Sequence, residues 1–144
     1  MNIMVGYDGT ELSNAALELA RKHARGFNAT VYLVTSLEEA TEDTWQRSLV
    51  GIGKEESSPE YNQATKRLEN AKTLFEQEKI PCITSLSIRG LSPGEDLVEF
   101  AKENKIDEIV IGAKSRSKVD KFLFGSNTQY IILHADCPVV TVKQ

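Results

Sequence analysis

Short apolar runs alternate along this chain with longer stretches in which apolar residues return every three or four positions. That alternation predicts parallel strands joined by covering helices. The first run, Ile3 to Val5, ends in the turn Gly6-Tyr7-Asp8-Gly9. A helix is predicted from about Glu11 to Ala24, because Leu12, Ala16, Leu19, Ala20, His23 and Phe27 recur on one face of a 3.6-residue period, with Asn28 closing it. His23 then belongs to the packed face rather than to a ligand set. Thr30 to Thr35 is the second strand, apolar enough to be buried on both sides.

Residues 37–58 break the pattern. They hold Glu38, Glu39, Glu42, Asp43, two glycines and Trp45, and read as a long loop with a helical stretch near Trp45. Ser57-Ser58-Pro59-Glu60 then opens a helix carrying Tyr61, Ala64, Leu68, Ala71 and Phe75 on one face, and Pro81 is expected to stop it. Cys82 to Arg89 reads as a third strand at a sheet edge. Ser92-Pro93-Gly94-Glu95 has the form of a capping box opening a helix to about Asn104. Glu108 to Gly112 is the fourth strand, Ser126 to His134 a last helix, and Pro138 to Val142 the fifth strand.

The predicted fold class is α/β: an open five-stranded parallel sheet with helices on both faces, Rossmann-like. In such sheets ligands sit beyond the carboxyl ends of the strands, where the strand order reverses. Tyr7-Asp8, Thr35-Ser36 and Gly112 onward are therefore the places to look.

Length and composition narrow the function. The 144 residues, 40% hydrophobic, make one domain spanning 1–144 with enough chain for a core. A net charge of −4 and a pI near 5.3 argue against a general nucleic-acid binder. No run approaches the roughly 18 apolar residues of a membrane span, so the expected compartment is the cytoplasm. Cys82 and Cys137 form neither a disulfide framework nor a metal motif, and both are expected to be buried.

The segment after strand four carries the most chemistry. Lys114, Arg116, Lys118 and Lys121 stand against a single acid, Asp120, in an otherwise acidic chain. Gly112 would let backbone approach a ligand as the strand ends. Gly125-Ser126 opens a helix whose free N–H groups and positive dipole end favour an anion, with Ser126 as the natural N-cap. This reads either as a phosphate site or as a solvated loop before a serine-capped helix. Asp8 likewise suits a ribose hydroxyl or base amine, or a structural cap through Gly9-Thr10. Gly51-Ile52-Gly53-Lys54 lacks the spacing of a P-loop.

Gly112-x2-Ser115-x9-Gly125-Ser126-Asn127, the early Val5-Gly6-Tyr7-Asp8-Gly9-Thr10 and the tail Ala135 to Val142 together resemble the universal stress protein family over essentially the full length. The resemblance implies the five-stranded fold, a homodimer joined through the C-terminal strand, and the family's ATP-binding branch, marked by G-x2-G-x9-G-[ST]. Gly112, Gly125 and Ser126 match that motif; Ser115 departs from its second glycine. By resemblance, the Ser36 backbone meets adenine, Asp8 beside Tyr7 meets the ribose, and Gly112 with Ser115 meets the sugar–phosphate turn. Arg116, Gly125, Ser126, Asn127 and Thr128 surround the phosphates of ATP or AMP, which a Mg ion would bridge. No catalytic residue and no protein-held metal is expected. The function implied is a nucleotide-binding stress sensor or regulator. The alternatives are a slow ATP hydrolase, for which no base stands near Gly125, and a nucleotide-free dimeric adaptor.

Overall fold

The computed structural model describes residues 1–37, 59–113 and 125–143. The long loop around Trp45, including Gly51 to Lys54, and the basic segment with Ser115 and Arg116 lie outside the described residues. The elements run β1 (Asn2–Gly6), α1 (Glu11–Phe27), β2 (Thr30–Ser36), α2 (Pro59–Gln77), β3 (Cys82–Ser87), α3 (Pro93–Glu103), β4 (Glu108–Gly112), α4 (Ser126–His134) and β5 (Val139–Val142). All pairings are parallel, and the strand order is β3-β2-β1-β4-β5. The predicted α/β sheet is present, with β3 at one edge as its polar residues implied.

Strand alternation sorts the core into two layers. Ile3 and Val5 of β1 meet Ala16, Ala20, Leu68, Ala71 and Phe75 of α1 and α2. Met4 and Val34 point the other way, onto Leu97, Val98 and Phe100 of α3 and Ile131 of α4. Each fully buried Leu, Ile, Val or Phe contributes about 1.5–3 kcal/mol of transfer free energy.

The stripe of α1 that faces the sheet is Ser13, Ala16, Leu17, Ala20 and Ala24, one residue around from the predicted face. Ala16 and Ala20 belong to both readings, so periodicity alone does not separate them. The alanines let the helix lie close to the strands, and bulkier groups fall to its margin. Phe27 is 59% exposed. His23 is not a core histidine: it is half-buried, its Nδ1 is 2.6 Å from Glu108 Oε1, and its ring meets Phe27 edge-on. The pairing ties α1 to the first residue of β4. The helix also runs past Ala24 to Phe27 before Asn28, at φ 53°, ends it in the left-handed region.

Other boundaries shift for local reasons. The α2 helix ends at Gln77, short of Pro81, because Lys79 adopts φ 58° and Ile80 N–H returns to the Phe75 carbonyl. The β3 strand stops at Ser87, short of Arg89, and β5 starts at Val139, one residue after Pro138, which has no N–H for the ladder. Ser92 is the N-cap of α3, but its hydroxyl bonds Glu95 Oε1 at 3.0 Å rather than a backbone amide, so the capping box is not closed.

Candidate functional site

Because every strand is parallel, every helix begins at the same end of the sheet. There the order turns back on itself: β1 is followed by β2 on one side and flanked by β4 on the other. A cleft of about 290 Å³ opens at this reversal, lined by the ends of β1, β2 and β4 and by the first turns of α1, α3 and α4. Of the residues singled out from sequence, Tyr7, Asp8, Ser36, Gly112, Asn127 and Thr128 line it. Gly125 and Ser126 start α4 just before Asn127 and are not part of the lining.

The β1 exit is held by hydroxyls and one arginine. Asp8 Oδ1 accepts from Thr10 N at 3.0 Å and from the Thr10 hydroxyl at 2.6 Å. Thr10 Oγ1 in turn accepts from Ser13 N at 3.2 Å and caps α1. Asp8 thus has the capping role that the sequence left open, acting through Thr10. Partial burial pushes the Asp8 carboxyl up, but the Thr10 and Ser13 donors outweigh it and hold the group below its ordinary value. Gly9 sits at φ 82°, and a Cβ there would come 2.6 Å from Arg67 Cδ. Arg67 crosses this turn from α2 and donates to the Asp8 carbonyl at 3.0 Å. Tyr7 donates its phenol to Asn14 Oδ1 at 3.0 Å; burial pushes that phenol up, against the pull of Arg67. Thr35 Oγ1 bonds the Tyr7 carbonyl at 2.6 Å and joins the ends of β1 and β2.

Gly112 lines the cleft and also has a packing role. A Cβ there would meet Leu12 Cγ, and at 2.9 Å the Leu12 carbonyl oxygen. The missing side chain makes room for α1 on β4. Gly125 is the reverse case: it has φ −60° and ψ 154°, and a Cβ meets nothing within 4 Å among the described residues.

Ser126 is not the N-cap. Gly125 takes that place, its carbonyl accepting the first helical bond from Gln129 N at 3.0 Å, and Ser126 is the exposed first residue of α4. Its N–H is among the amides that an α-helix leaves open at its start. Asn127 is engaged elsewhere: its Oδ1 accepts the Gly94 N–H of α3 at 2.9 Å. Cys82 is buried and Cys137 half-buried, so the expectation for Cys137 is only partly met.

At the β2 end, Ser36 donates its hydroxyl to Asp96 Oδ2 at 2.6 Å. Asp96 is 1% exposed, and its Oδ1 receives Ser87 Oγ at 2.8 Å with Arg89 Nε at 3.3 Å. Arg89 continues to both oxygens of Glu103, at 2.6 and 2.9 Å. Sequence reasoning missed Arg67 and Asp96. Asp96 follows Glu95 in an acidic first turn, the ordinary complement of a helix dipole, so its burial left no mark. Among the described residues no group of three or more His, Cys, Asp or Glu is placed to hold a metal, and no helix is long and apolar enough to cross a membrane.

A model of the universal stress protein family matches residues 1–143. Universal stress protein MJ0531 of Methanocaldococcus jannaschii is 28% identical over 99% of this chain and 81% of its own length. The structure of a universal stress protein from Archaeoglobus fulgidus superposes with a TM-score of 0.78 at 28% identity, over 99% of this chain and 93% of that one. A universal stress protein of the same organism, solved in complex with dAMP, gives 0.71 at 28% identity, over 99% and 98%.

Proposed function

Since the chain belongs to the universal stress protein family, we propose that it binds an adenine nucleotide, ATP or AMP, and acts in the cytoplasm as a stress-response sensor or regulator. The observation that carries this reading is the cleft itself, where Asp8, Ser36, Gly112 and Thr128 meet from four elements beside the open start of α4. Its volume lies near the lower end of the range for small-molecule sites and suits a base and sugar. The phosphates then extend toward Gly125 and Ser126. Gly125 supports this, because among the described residues a Cβ there would meet nothing within 4 Å and the backbone is open to approach. The dAMP-bound relative at 28% identity supports the base class.

In this reading the base lies at the end of β2 by Ser36, and Asp8 with neighbouring Tyr7 faces the ribose. Ser115 and Arg116 follow Gly112 toward the phosphates, with Ser126 and Thr128 on the far side. A Mg ion would rest on phosphate oxygens. The same reading includes a homodimer paired through β5, an edge strand of partly buried valines preceded by Leu133 at 76% exposure.

Titration calorimetry with ATP, AMP and adenosine tests the site. Ser126→Ala should weaken ATP and AMP by roughly 10- to 150-fold, the range for a hydrogen bond to a charged group, and leave adenosine nearly unchanged. Asp8→Ala should weaken all three alike. Wild type giving no heat with any of them at millimolar ligand would end the proposal.

A further inference from the structure

We infer that Asp96, which lies behind the cleft wall and outside its lining, sets the choice between 6-amino and 6-oxo purines by fixing the polarity of the Ser36 hydroxyl. The inference rests on the proposed nucleotide site. A serine hydroxyl has one proton to donate and lone pairs to accept with, and it normally rotates to suit either kind of partner. Ser36 has lost that choice. Its proton is directed to Asp96 Oδ2 at 2.6 Å, and Asp96, 1% exposed, has no donor of its own to offer in exchange. The carboxylate is held in turn by Ser87 Oγ and Arg89 Nε on its other oxygen, so it has no freedom to swing away. Ser36 and Ser87 are direct register partners in the β2–β3 ladder, which places both hydroxyls over one carboxyl group.

What the Ser36 hydroxyl can present to the cleft is therefore lone-pair density alone, beside the backbone groups of the same residue. An acceptor matches the amino group at position 6 of adenine and is mismatched with the carbonyl at position 6 of hypoxanthine or guanine. Asp96 acts through Ser36 and is a positioning residue.

The test compares AMP, IMP and nebularine 5′-monophosphate, which lacks any substituent at position 6, by calorimetry. Wild type should prefer AMP to IMP by roughly 10-fold or more, within the span of one directed hydrogen bond and its mismatch. Ser36→Ala should cost AMP about 3- to 10-fold and leave the nebularine nucleotide where it was. Asp96→Asn goes further. Arg89 has only protons to offer, so the amide oxygen must stay on its side and the amide N–H₂ must face Ser36. That frees the serine proton for the cleft and should bring the AMP-to-IMP ratio close to one. Retained affinity for the nebularine nucleotide reports that the site is intact, and if Asp96→Asn does not fold, Ser36→Ala decides alone. A wild-type ratio preserved in either variant overturns the inference. Wild type binding AMP and IMP alike overturns it while leaving the nucleotide site standing. Wild type binding none of the three removes the site, and this inference with it.

Discussion

Asn127 accepts the amide proton of Gly94 at 2.9 Å, so a side chain in the first turn of α4 closes a free donor in the first turn of α3. The same glycine has no room for a side chain, since a Cβ would lie 3.0 Å from the Asn127 carbonyl oxygen. The two helix starts that flank the cleft are thereby fixed against each other. Asn127→Ala should lower stability by about 1–2 kcal/mol, the cost of an orphaned amide in a partly buried place, read as a thermal shift. Asn127→Asp should be neutral or slightly stabilising, because a carboxylate suits two helix N-termini. It should nevertheless weaken AMP more than adenosine by repelling phosphate. Equal losses for both ligands would show that Asn127 only shapes the cleft.

Gly112 and Gly125 should part company on substitution. Gly112→Ala forces α1 away from β4 against the Leu12 backbone and should cost about 1–3 kcal/mol in urea unfolding, the usual penalty of overpacking. Gly125→Ala should cost at most about 1 kcal/mol, the loss of a favoured N-cap residue, and its larger effect should be seen in nucleotide affinity. A stability loss as large as that at Gly112, with affinity unchanged, would mean that the fold, and not a ligand, needs the glycine.

Asp8 should give stability a definite acid dependence. Its folded carboxyl titrates below the ordinary value of 3.8, so its contribution is fully present above that pH and is lost as pH falls through the lower folded value. Asp8→Asn keeps an oxygen for Thr10 and removes the charge. The variant should be less stable than wild type near neutrality and converge on it in acid. A gap that persists to the lowest pH would assign the effect to packing instead.

Cys82 should be silent toward thiol reagents. Burial pushes its thiol to about 12, with Lys72 lowering and Glu76 raising it by smaller amounts. At neutral pH the thiolate is essentially absent. A maleimide or a disulfide reagent should react with Cys137 first and reach Cys82 only on unfolding, which peptide mapping after timed labelling will show. Because the raised value keeps the folded thiol protonated, its stabilising share is present up to the ordinary value of 9.0 and fades as pH climbs toward 12.

The β4 and α4 boundaries were legible because each combines a strong period with its own punctuation, Gly112 closing one and Gly125-Ser126 opening the other. The strand-end positions Asp8, Ser36 and Gly112 were legible from topology, since a parallel sheet sends them all to one edge. What stayed hidden depends on neighbours far along the chain. Gly112 looks the same whether a ligand or Leu12 occupies its empty side. His23 satisfies a helical period whether it meets the core or Glu108. Arg67 sits on the polar face of α2 with nothing local to show that it reaches the Asp8 turn. Asp96 follows Glu95 in a sequence that favours acids for reasons unrelated to burial.

The central place of β1 has a consequence for how the molecule is assembled. Asn2 stands opposite Thr30, a partner made early in synthesis, whereas Ile3 stands opposite Glu108, and the Asn2 amide bonds Asp107 across 105 residues. The β1–β2–β3 half can form while the rest of the chain is still unmade, but the β1–β4 seam must wait. The cleft straddles that seam, with Asp8 and Ser36 on the early side and Gly112 and Thr128 on the late side. Whatever fills it acts as a clasp between the first and last parts of the chain to meet, and excess ligand should slow their parting more than it speeds their joining.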